Sequence, residues 1–413
     1  MDQQATKKEN RSLAVRYAGL QFGYWMNYLV IFSFGTVVMK ARGFEPAEIG
    51  IVTTLGAVLT VVLQTTFASL VDKSEKIAIR DVLIAIAAGC IATGAAMTLL
   101  PGVRPVTFVC MFLSLSLTSM MQPFMTSLCL QYNEEGHHVD FGVARSMGSL
   151  GYAASGFLMG IVTQSFGTDI ILPIFCGLYV LILLLLISMP GIRKARTAQG
   201  TTASREEKSS SLIQFFRSYP RYDLFLVGVV LMFFMQMVLN TYMIYFVNDL
   251  GGGEAEMGTA LSVGAFLELP AVAISGWLLK RFRPQLLLRI AATAGLVKFT
   301  AMLFITNCTW FIALHTTHFF YSGLYMVSSV YFADRIVRHS DAVKAQTLLA
   351  VGLSGIGGIA ANLLGGALLE VATVRTVMLL GAVVSALGCV FIFVATRSKS
   401  FSGEAPETGL RHF

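Results

Sequence analysis

Long apolar segments recur from one end of the chain to the other, separated by short polar connections. A helix needs about 20 apolar residues to cross the hydrocarbon core of a bilayer. Twelve segments reach that length, at 14–38, 47–71, 79–100, 104–132, 141–166, 169–189, 222–247, 257–279, 285–306, 309–332, 345–370 and 375–396. The pattern predicts an all-α membrane protein with twelve transmembrane helices.

The longest polar interruption separates the sixth segment from the seventh. It runs from Arg193 to about Arg221 and is rich in Ser, Thr, Ala and Lys, a composition typical of a flexible linker. Six spans on each side of it predict two pseudo-symmetric six-helix bundles. The predicted domains are an N-terminal bundle (1–190), a cytoplasmic linker (191–221), a C-terminal bundle (222–397) and a cytoplasmic tail (398–413).

Composition supports this interpretation and gives the orientation. Only 13% of residues are charged and 55% are hydrophobic, whereas a soluble domain has about 25% charged residues. Most Lys and Arg residues lie in alternate connections on one side of the predicted membrane, which makes that side and both termini cytoplasmic by the positive-inside rule. The net charge of +7 therefore reflects topology and does not indicate a nucleic-acid partner.

The chain has few features of an enzyme or a secreted protein. Its six cysteines are scattered without a CxxC pair, so neither a disulfide framework nor a metal site is predicted. No phosphate loop and no nucleophile–base pair is visible, so we expect no cofactor, no enzyme activity and no sensor role. No cleavable signal peptide precedes the first span, which favours a multi-pass protein of a prokaryotic inner membrane.

Charged residues inside the predicted spans are the main functional candidates. Arg145 lies early in the fifth span, Glu268 near the centre of the eighth and Lys298 in the ninth. A charge at the centre of a bilayer costs about 2.5–3.5 kcal/mol even on lenient scales, and such residues usually face a protein interior or an aqueous cavity. A cavity between the spans is therefore predicted.

Two segments resemble a known family. The twelve-span layout and the Asp72-Lys73 pair after the second span resemble the major facilitator superfamily. The segment Asp140–Tyr152, DFGVARSMGSLGY, is similar to the fifth-helix signature of the lactose permease-like branch of proton symporters. The resemblance implies a secondary transporter that works by alternating access between its two bundles.

The resemblance also implies roles for residues of the fifth span. Arg145 matches an arginine that contacts substrate, and a guanidinium suits that role because it offers a planar set of donors. The alternative is an arginine whose side chain reaches the cytoplasmic interface. Tyr152 matches the position of a stacking tryptophan, although it could equally be a packing residue. Ser127 stands where the resembling permeases have the acidic partner.

Proton coupling is assigned to the eighth, ninth and tenth spans. Burial disfavours the charged form of a carboxyl group, so Glu268 is the candidate proton carrier, with Lys298 as the basic partner that the resemblance implies. His318 matches the histidine of the permease proton site, and His315 lies one turn before it; Tyr321 replaces the expected acid. The alternatives are a structural Glu268–Lys298 ion pair and hydrogen-bonded packing histidines.

Uncharged polar residues complete the predicted substrate site. They lie within the first, fourth and seventh spans, and the set is Tyr24, Asn27, Gln122, Gln236 and Asn240, with Trp25 of the first span as a further residue that could shape the cavity. Asn240 matches a position that is acidic in the lactose permease. Four charged residues at the cytoplasmic ends of the second and eighth spans are predicted to form a conformational latch between helices, and they are Asp72, Lys73, Lys280 and Arg281.

These observations predict a proton-coupled symporter that imports a small polar or anionic solute. A sugar, a nucleoside or a carboxylate would each fit, and the other partners are protons and the lipid bilayer. We expect a monomer that is driven by a proton gradient. The alternative is a proton-driven exporter of drugs or metabolites, although the fifth span lacks the Gly-Pro-rich signature of such exporters.

Overall fold

The computed structural model describes residues 3–73, 77–192 and 211–397, without the side chains of residues 3–9, 72, 73, 272, 339 and 354. Within that part of the chain every regular element is a helix. The helices of the first half are α1 (Gln3–Leu29), α2 (Gly35–Ala41), α3 (Pro46–Lys73), α4 (Ile79–Leu99), α5 (Arg104–Glu134), α6 (Phe141–Phe166) and α7 (Ile171–Ser188).

The second half begins with a short helix, which precedes its membrane-spanning helices. Its helices are α8 (Leu212–Ser218), α9 (Pro220–Asp249), α10 (Glu254–Arg281), α11 (Pro284–Ala301), α12 (Cys308–Leu314), α13 (Leu324–Ile336), α14 (Ala342–Ala350), α15 (Gly358–Val371) and α16 (Val374–Ala395). Helix α8 lies inside the predicted linker. The rest of that linker, 193–210, and the predicted tail 398–413 lie outside the described residues.

By length and composition, nine helices of the described chain could cross a membrane, or ten when the bent helix α10 counts as one span. The two other predicted spans are also helical. One is α6, and the other is the segment from Cys308 to Ile336, in which α12 and α13 are separated by irregular turns. The prediction of an all-α membrane protein is confirmed.

Several spans are interrupted where the chain carries glycine, proline or polar residues. A wide π-helical turn at Val30–Phe34 joins α1 to α2, and similar turns at Phe319–Gly323 and Val351–Gly357 precede α13 and α15. Helix α10 bends by 47° just after Pro270, because a proline cannot donate the backbone hydrogen bond of that turn. Such breaks change the direction in which the following side chains point, and they often occur at functional sites.

The two halves meet at the end of the molecule remote from the termini, which we call the opposite face. There α6 packs on α10, and a Cβ atom at Gly258 would collide with the carbonyl oxygen of Gly156. In the pseudo-symmetric position α3 packs on α15, and a Cβ at Gly50 would collide with the carbonyl oxygen of Asn362. The Tyr242 hydroxyl donates to this Asn362 oxygen, at 2.7 Å. Close backbone contact therefore seals this face.

The other end, which we call the terminal face, is stabilised within each half. Arg80 of α4 donates to the Met189 carbonyl at the end of α7, at 2.9 Å. In the second half Arg289 of α11 donates to the Thr396 carbonyl at the end of α16, at 2.7 Å. These arginines satisfy carbonyl groups that helix ends leave without partners. The matching positions in the two halves support an internal repeat.

The predicted latch residues lie at the terminal face. Lys280 and Arg281 are the exposed last residues of α10. The side chains of Asp72 and Lys73, at the end of α3, lie outside the described residues, so the latch stays a prediction.

A crevice runs between the halves. The seams α6–α10 and α3–α15 close it at the opposite face. Nearer the terminal face, Arg145 of the first half and Glu268 of the second interact through their charges and are both partly accessible. The crevice therefore opens towards the terminal face.

Candidate functional site

Arg145 lies in the wall of the crevice, near the beginning of α6. The Asp140 side chain starts this helix by accepting a hydrogen bond from the Val143 N–H group, at 3.0 Å. One turn further on, the Arg145 guanidinium stacks over the Trp25 ring at 4.1 Å and donates to the Ser149 hydroxyl at 3.0 Å. An aromatic face and a hydroxyl thus hold the cation in place while it stays half-buried.

Glu268 faces Arg145 from the other half of the molecule. The residue is partly accessible, and its carboxyl group lies beside the Ser322 hydroxyl and interacts with the charge of the Arg145 guanidinium. Arg145 belongs to the first half and Glu268 to the second. The two opposite charges therefore interact across the crevice, at a place where relative movement of the halves would change their separation.

Aromatic rings line the crevice next to this charge pair. Trp25, Tyr28 and Phe32 lie on one side of the first span at helical spacing, with ring centroids 5.1 Å apart for the first pair and 4.2 Å for the stacked second pair. Tyr152 of α6 adds a fourth ring, 6.4 Å from Trp25. All four are partly accessible. They form an apolar wall on which a flat or ring-shaped solute could pack.

A second polar cluster lies entirely within the second half. The ammonium group of Lys298 is fully buried, donates to the Gln236 amide oxygen at 3.0 Å and lies 2.7 Å from His318 Nε2. Gln236 in turn donates to Asn240 at 2.8 Å. Asn240 and His318 are the partly accessible members, so a continuous hydrogen-bonded chain connects the buried Lys298 cation with the crevice.

His315 extends this cluster towards the opposite face. Its Nδ1 atom is 2.9 Å from the Phe311 carbonyl oxygen, and its ring stacks on that of His318 with centroids 5.4 Å apart. Its buried Nε2 atom has no partner among the described residues. A buried polar atom without a partner is costly, so this nitrogen is a site where a water molecule could donate a hydrogen bond.

The structure separates some residues that the sequence analysis had paired. Lys298 contacts Gln236 and His318, whereas the charge partner of Glu268 in this conformation is Arg145. The sequence analysis expected Lys298 beside Glu268 because the family resemblance implies a basic partner for the acid, and both residues lie near the centre of their spans. The difference arises because depth along a helix does not determine which way a side chain points.

Two predicted substrate ligands lie outside the crevice. Tyr24 is buried and donates to the Thr118 carbonyl at 3.2 Å, and the buried amide of Asn27 donates to the Phe175 carbonyl at 3.1 Å. Both side chains thus join helices within the first half. Gln122 of α5 is partly accessible.

Four crevice residues were missed by the sequence analysis, namely Tyr28, Phe32, Ser149 and Ser322. Ser149 follows Arg145 by four residues, and Tyr28 and Phe32 follow Trp25 by three and seven, so helical spacing could have indicated these three. Nothing in the sequence marks Ser322, which lies in the irregular turn before α13.

A substitution at Asn27 should distinguish packing from binding. We expect Asn27→Ala to lower stability by about 1 kcal/mol, because it removes one buried hydrogen bond, and to leave substrate affinity unchanged. Thermal unfolding and ligand binding of the purified variant would test this. A large loss of affinity at unchanged stability would instead make Asn27 a substrate ligand.

Comparison with known proteins identifies relatives over most of the chain. The family model described as "MFS_1 like family" matches residues 15–380. The chain is 25% identical over 340 residues to "Sugar efflux transporter A" of Dickeya chrysanthemi, covering 79% of this chain and 81% of the relative. It is 24% identical over 388 residues to "Maltose permease" of Geobacillus stearothermophilus, covering 91% and 94%.

Solved structures share the fold. The crystal structure of nucleoside transporter NupG superimposes with a TM-score of 0.79 and 15% identity, covering 94% of this chain and 100% of that one. At this identity the likeness concerns architecture only. The relatives named here are transporters, which confirms the prediction of a transporter rather than an enzyme.

Proposed function

Because the chain belongs to the MFS_1 like family of membrane transporters, we propose that it is a proton-coupled symporter that imports a sugar or a nucleoside. A small carboxylate, which the sequence also allows, would fit the aromatic wall less well. The observation that carries the proposal is the crevice itself, in which the Arg145–Glu268 pair lies beside four aromatic rings. Charged donors and acceptors next to an aromatic platform suit a solute with hydroxyl groups on a ring.

Substrate recognition is assigned to groups on both halves. On the first half, Arg145 would donate to substrate oxygens while Trp25, Tyr28 and Tyr152 pack against the apolar face of the ring. On the second half, Glu268 and Asn240 would accept or donate hydrogen bonds from the other side. Because the ligands come from both halves, bound substrate would draw the halves together, as alternating access requires.

Proton coupling is assigned to Glu268, with the Lys298–His318 cluster in support. A carboxyl group that neutralises Arg145 when charged, and releases it when protonated, changes the attraction between the halves by one charge. The hydrogen-bonded chain from His318 through Lys298 and Gln236 to Asn240 would hold a second proton near the site. The proton gradient then supplies the driving force, without a cofactor.

The membrane orientation follows from the basic connections. We assign both termini to the cytoplasm, and the protein to a prokaryotic inner membrane as a monomer. The terminal face is then cytoplasmic, and the crevice described above opens inward. The glycine seams at the opposite face would separate when the transporter turns outward.

The test is uptake into proteoliposomes under an imposed proton gradient, with labelled sugars, nucleosides and carboxylates. We expect accumulation of one sugar or nucleoside class by the wild type. Arg145→Ala should weaken substrate binding about 10- to 100-fold, because a hydrogen bond to a charged group contributes about 1.5–3 kcal/mol. Arg375→Ala is the matched control, since Arg375 is exposed at the start of α16.

Equal uptake by wild type and Arg145→Ala would remove Arg145 from the site. Uptake that does not respond to the proton gradient would contradict coupling while leaving the substrate class intact.

Export is the second candidate, favoured by the similarity to a protein named as a sugar efflux transporter. Loading the same vesicles with substrate and reversing the gradient tests it. Faster gradient-driven release than uptake in the physiological orientation would reverse the assigned direction and keep the site.

A further inference from the structure

A groove on the outer surface of the second half lies apart from the crevice. It has a volume of about 570 Å³ and is lined by α11, by the irregular segment between α12 and α13, and by α16. The residues along its length are Leu286, Ile290, Val297, Thr317, Phe320 and Phe393. It faces outward from the bundle, where a membrane protein meets lipid, and the proposed substrate site does not use it.

The groove presents an apolar surface along its length. The hydroxyl of Thr317 donates to the Leu314 carbonyl at 2.6 Å, and that of Thr293 lies beside the Cys389 thiol, so both are engaged within the protein. The large side chains are aliphatic or aromatic, and Ile290, Val297 and Phe320 are exposed. Such a surface requires an apolar occupant.

The depth of the groove matches one leaflet of a bilayer. From Leu286 to Val297 it follows α11 for eleven residues, or about 16 Å at 1.5 Å per residue. The hydrocarbon core of a bilayer is about 30 Å thick, so one leaflet contributes about 15 Å. The groove therefore runs from the interface at the terminal face to about the middle of the membrane.

Positive charge is concentrated at the interfacial end of the groove. Arg289 lines the groove there, with its guanidinium 5.4 Å from the centroid of the Phe393 ring. Arg283 precedes α11 and Arg397 follows α16, and both are exposed. No acidic residue of the described chain forms an ion pair with these three arginines. The start of α11 adds the partial positive charge of a helix N-terminus.

We propose that this groove binds an anionic phospholipid, whose acyl chain lies between α11, α16 and the irregular segment between α12 and α13, and whose phosphate headgroup contacts Arg289. The apolar lining matches the acyl chain, the length of the groove matches one leaflet, and the arginines at the interfacial end, which form no ion pair with an acidic residue of the described chain, match the phosphate. A zwitterionic lipid would offer the same chain but would bring its own cation to the arginines.

Bound lipid would also support an irregular part of the fold. Thr317 and Phe320 flank His318, at the point where α12 gives way to the turns before α13. A chain packed on Phe320 would fill the space beside this break on the lipid side. The lipid would therefore stabilise the segment that positions His318 against Lys298.

The test is lipid retention by the purified full-length protein. Protein in neutral detergent is mixed with equal amounts of phosphatidylglycerol and phosphatidylcholine of the same acyl chains, repurified, and analysed by native mass spectrometry. We expect one retained phosphatidylglycerol per chain and much less phosphatidylcholine. Each basic residue near a membrane surface favours an anionic lipid by about fivefold, so Arg289→Gln should lower retention by about that factor or more.

Two further variants separate lipid binding from folding. Ile290→Trp fills the groove from its exposed side and should abolish retention, whereas Leu387→Trp, exposed on α16 outside the groove lining, should not. The double variant Arg283→Gln/Arg397→Gln lowers the charge without removing the Arg289–Thr396 hydrogen bonds, and should lower retention even if Arg289→Gln is unstable. Arg11→Gln, exposed at the terminal face of the first half, is the charge control.

The proposal is overturned if both lipids are retained equally, or if folded Ile290→Trp retains phosphatidylglycerol like the wild type. Equal losses in Arg283→Gln/Arg397→Gln and in Arg11→Gln would indicate general charge attraction and would also overturn it. None of these outcomes depends on transport, so they do not bear on the proposed symport.

Discussion

Gly258→Leu is expected to abolish transport without unfolding the protein. The Gly258 position faces the backbone of α6 so closely that even a Cβ atom would meet the Gly156 carbonyl oxygen, and it would also lie 2.8 Å from the Gly160 Cα atom. A leucine side chain has no space in this seam. It would hold α6 and α10 apart and leave the opposite face open.

The size of the effect follows from the two-state character of the transporter. Overpacking a close contact costs about 1–3 kcal/mol or more. The leucine destabilises only the conformation that is closed at the opposite face. A cost at the upper end of this range therefore shifts the equilibrium between the closed and open conformations by about 100-fold. Each transport cycle requires the closed seam, so uptake should fall to near background while substrate binding from the opposite face persists.

Uptake and an intramolecular distance together test this prediction. With the native cysteines replaced, spin labels at Gly102 and Val371, at the opposite face of the two halves, should move apart in Gly258→Leu. Gly276→Leu is the matched control, because Gly276 lies on the same helix and no atom lies within 4 Å of a Cβ placed there. Wild-type uptake by Gly258→Leu would show that the transport cycle does not require the closed seam.

The second seam offers an independent check. A Cβ at Gly50 would meet the Asn362 carbonyl oxygen, and one at Gly366 would meet the Pro46 carbonyl oxygen. Gly50→Leu should therefore reproduce the effect of Gly258→Leu through different helices. Agreement between them would show that both seams act in one gate.

The spans could be predicted from sequence because hydrophobic length alone determines them. Each apolar run of about 20 residues must bury its backbone polar groups in a helix, and the basic connections add the expected orientation. The central charges Arg145 and Glu268 could be selected for the same reason, since a charge in hydrocarbon needs a partner or a cavity. The structure places these two on facing sides of one crevice, where their charges interact.

The rotation of each helix could not be predicted. Successive side chains are 100° apart around a helix, so a small error in rotation turns a crevice residue into a packing residue. Tyr24 and Trp25 illustrate this. Tyr24 donates a hydrogen bond to the Thr118 carbonyl inside the bundle, whereas the Trp25 ring stacks against the Arg145 guanidinium. An amphipathic pattern would give the rotation in a soluble helix, but here both faces are apolar.

Irregular turns add a second source of error. The wide turn at Phe319–Gly323 contains one more residue per turn than an α-helix and rotates the following helix relative to the preceding one. It brings Ser322 to Glu268, while His318, just before it, contacts Lys298. No residue in the FFYSG segment indicates this turn. The separation of the two polar clusters could therefore not be predicted from the sequence.

On the proposed symport mechanism, Glu268→Gln is expected to abolish gradient-driven accumulation while retaining substrate exchange. Glutamine has nearly the shape of the neutral acid and can still lie beside Ser322, so the crevice and its hydrogen bonds are preserved. It cannot take up or release a proton, and it cannot neutralise Arg145. The step that links proton release to movement of the halves is lost.

Two transport assays on one preparation separate these effects. Accumulation is measured under an imposed proton gradient, and exchange is measured as entry of labelled substrate into vesicles loaded with unlabelled substrate. Glu370→Gln, which removes an exposed carboxyl group at the end of α15, should behave as wild type in both. Normal accumulation by Glu268→Gln would transfer the coupling role to the Lys298–His318 cluster, which hydrogen bonds through Gln236 and Asn240 connect with the crevice. Loss of exchange as well as accumulation would indicate that Glu268 binds the substrate, because the neutral side chain would then have failed to bind substrate rather than to couple its transport to protons.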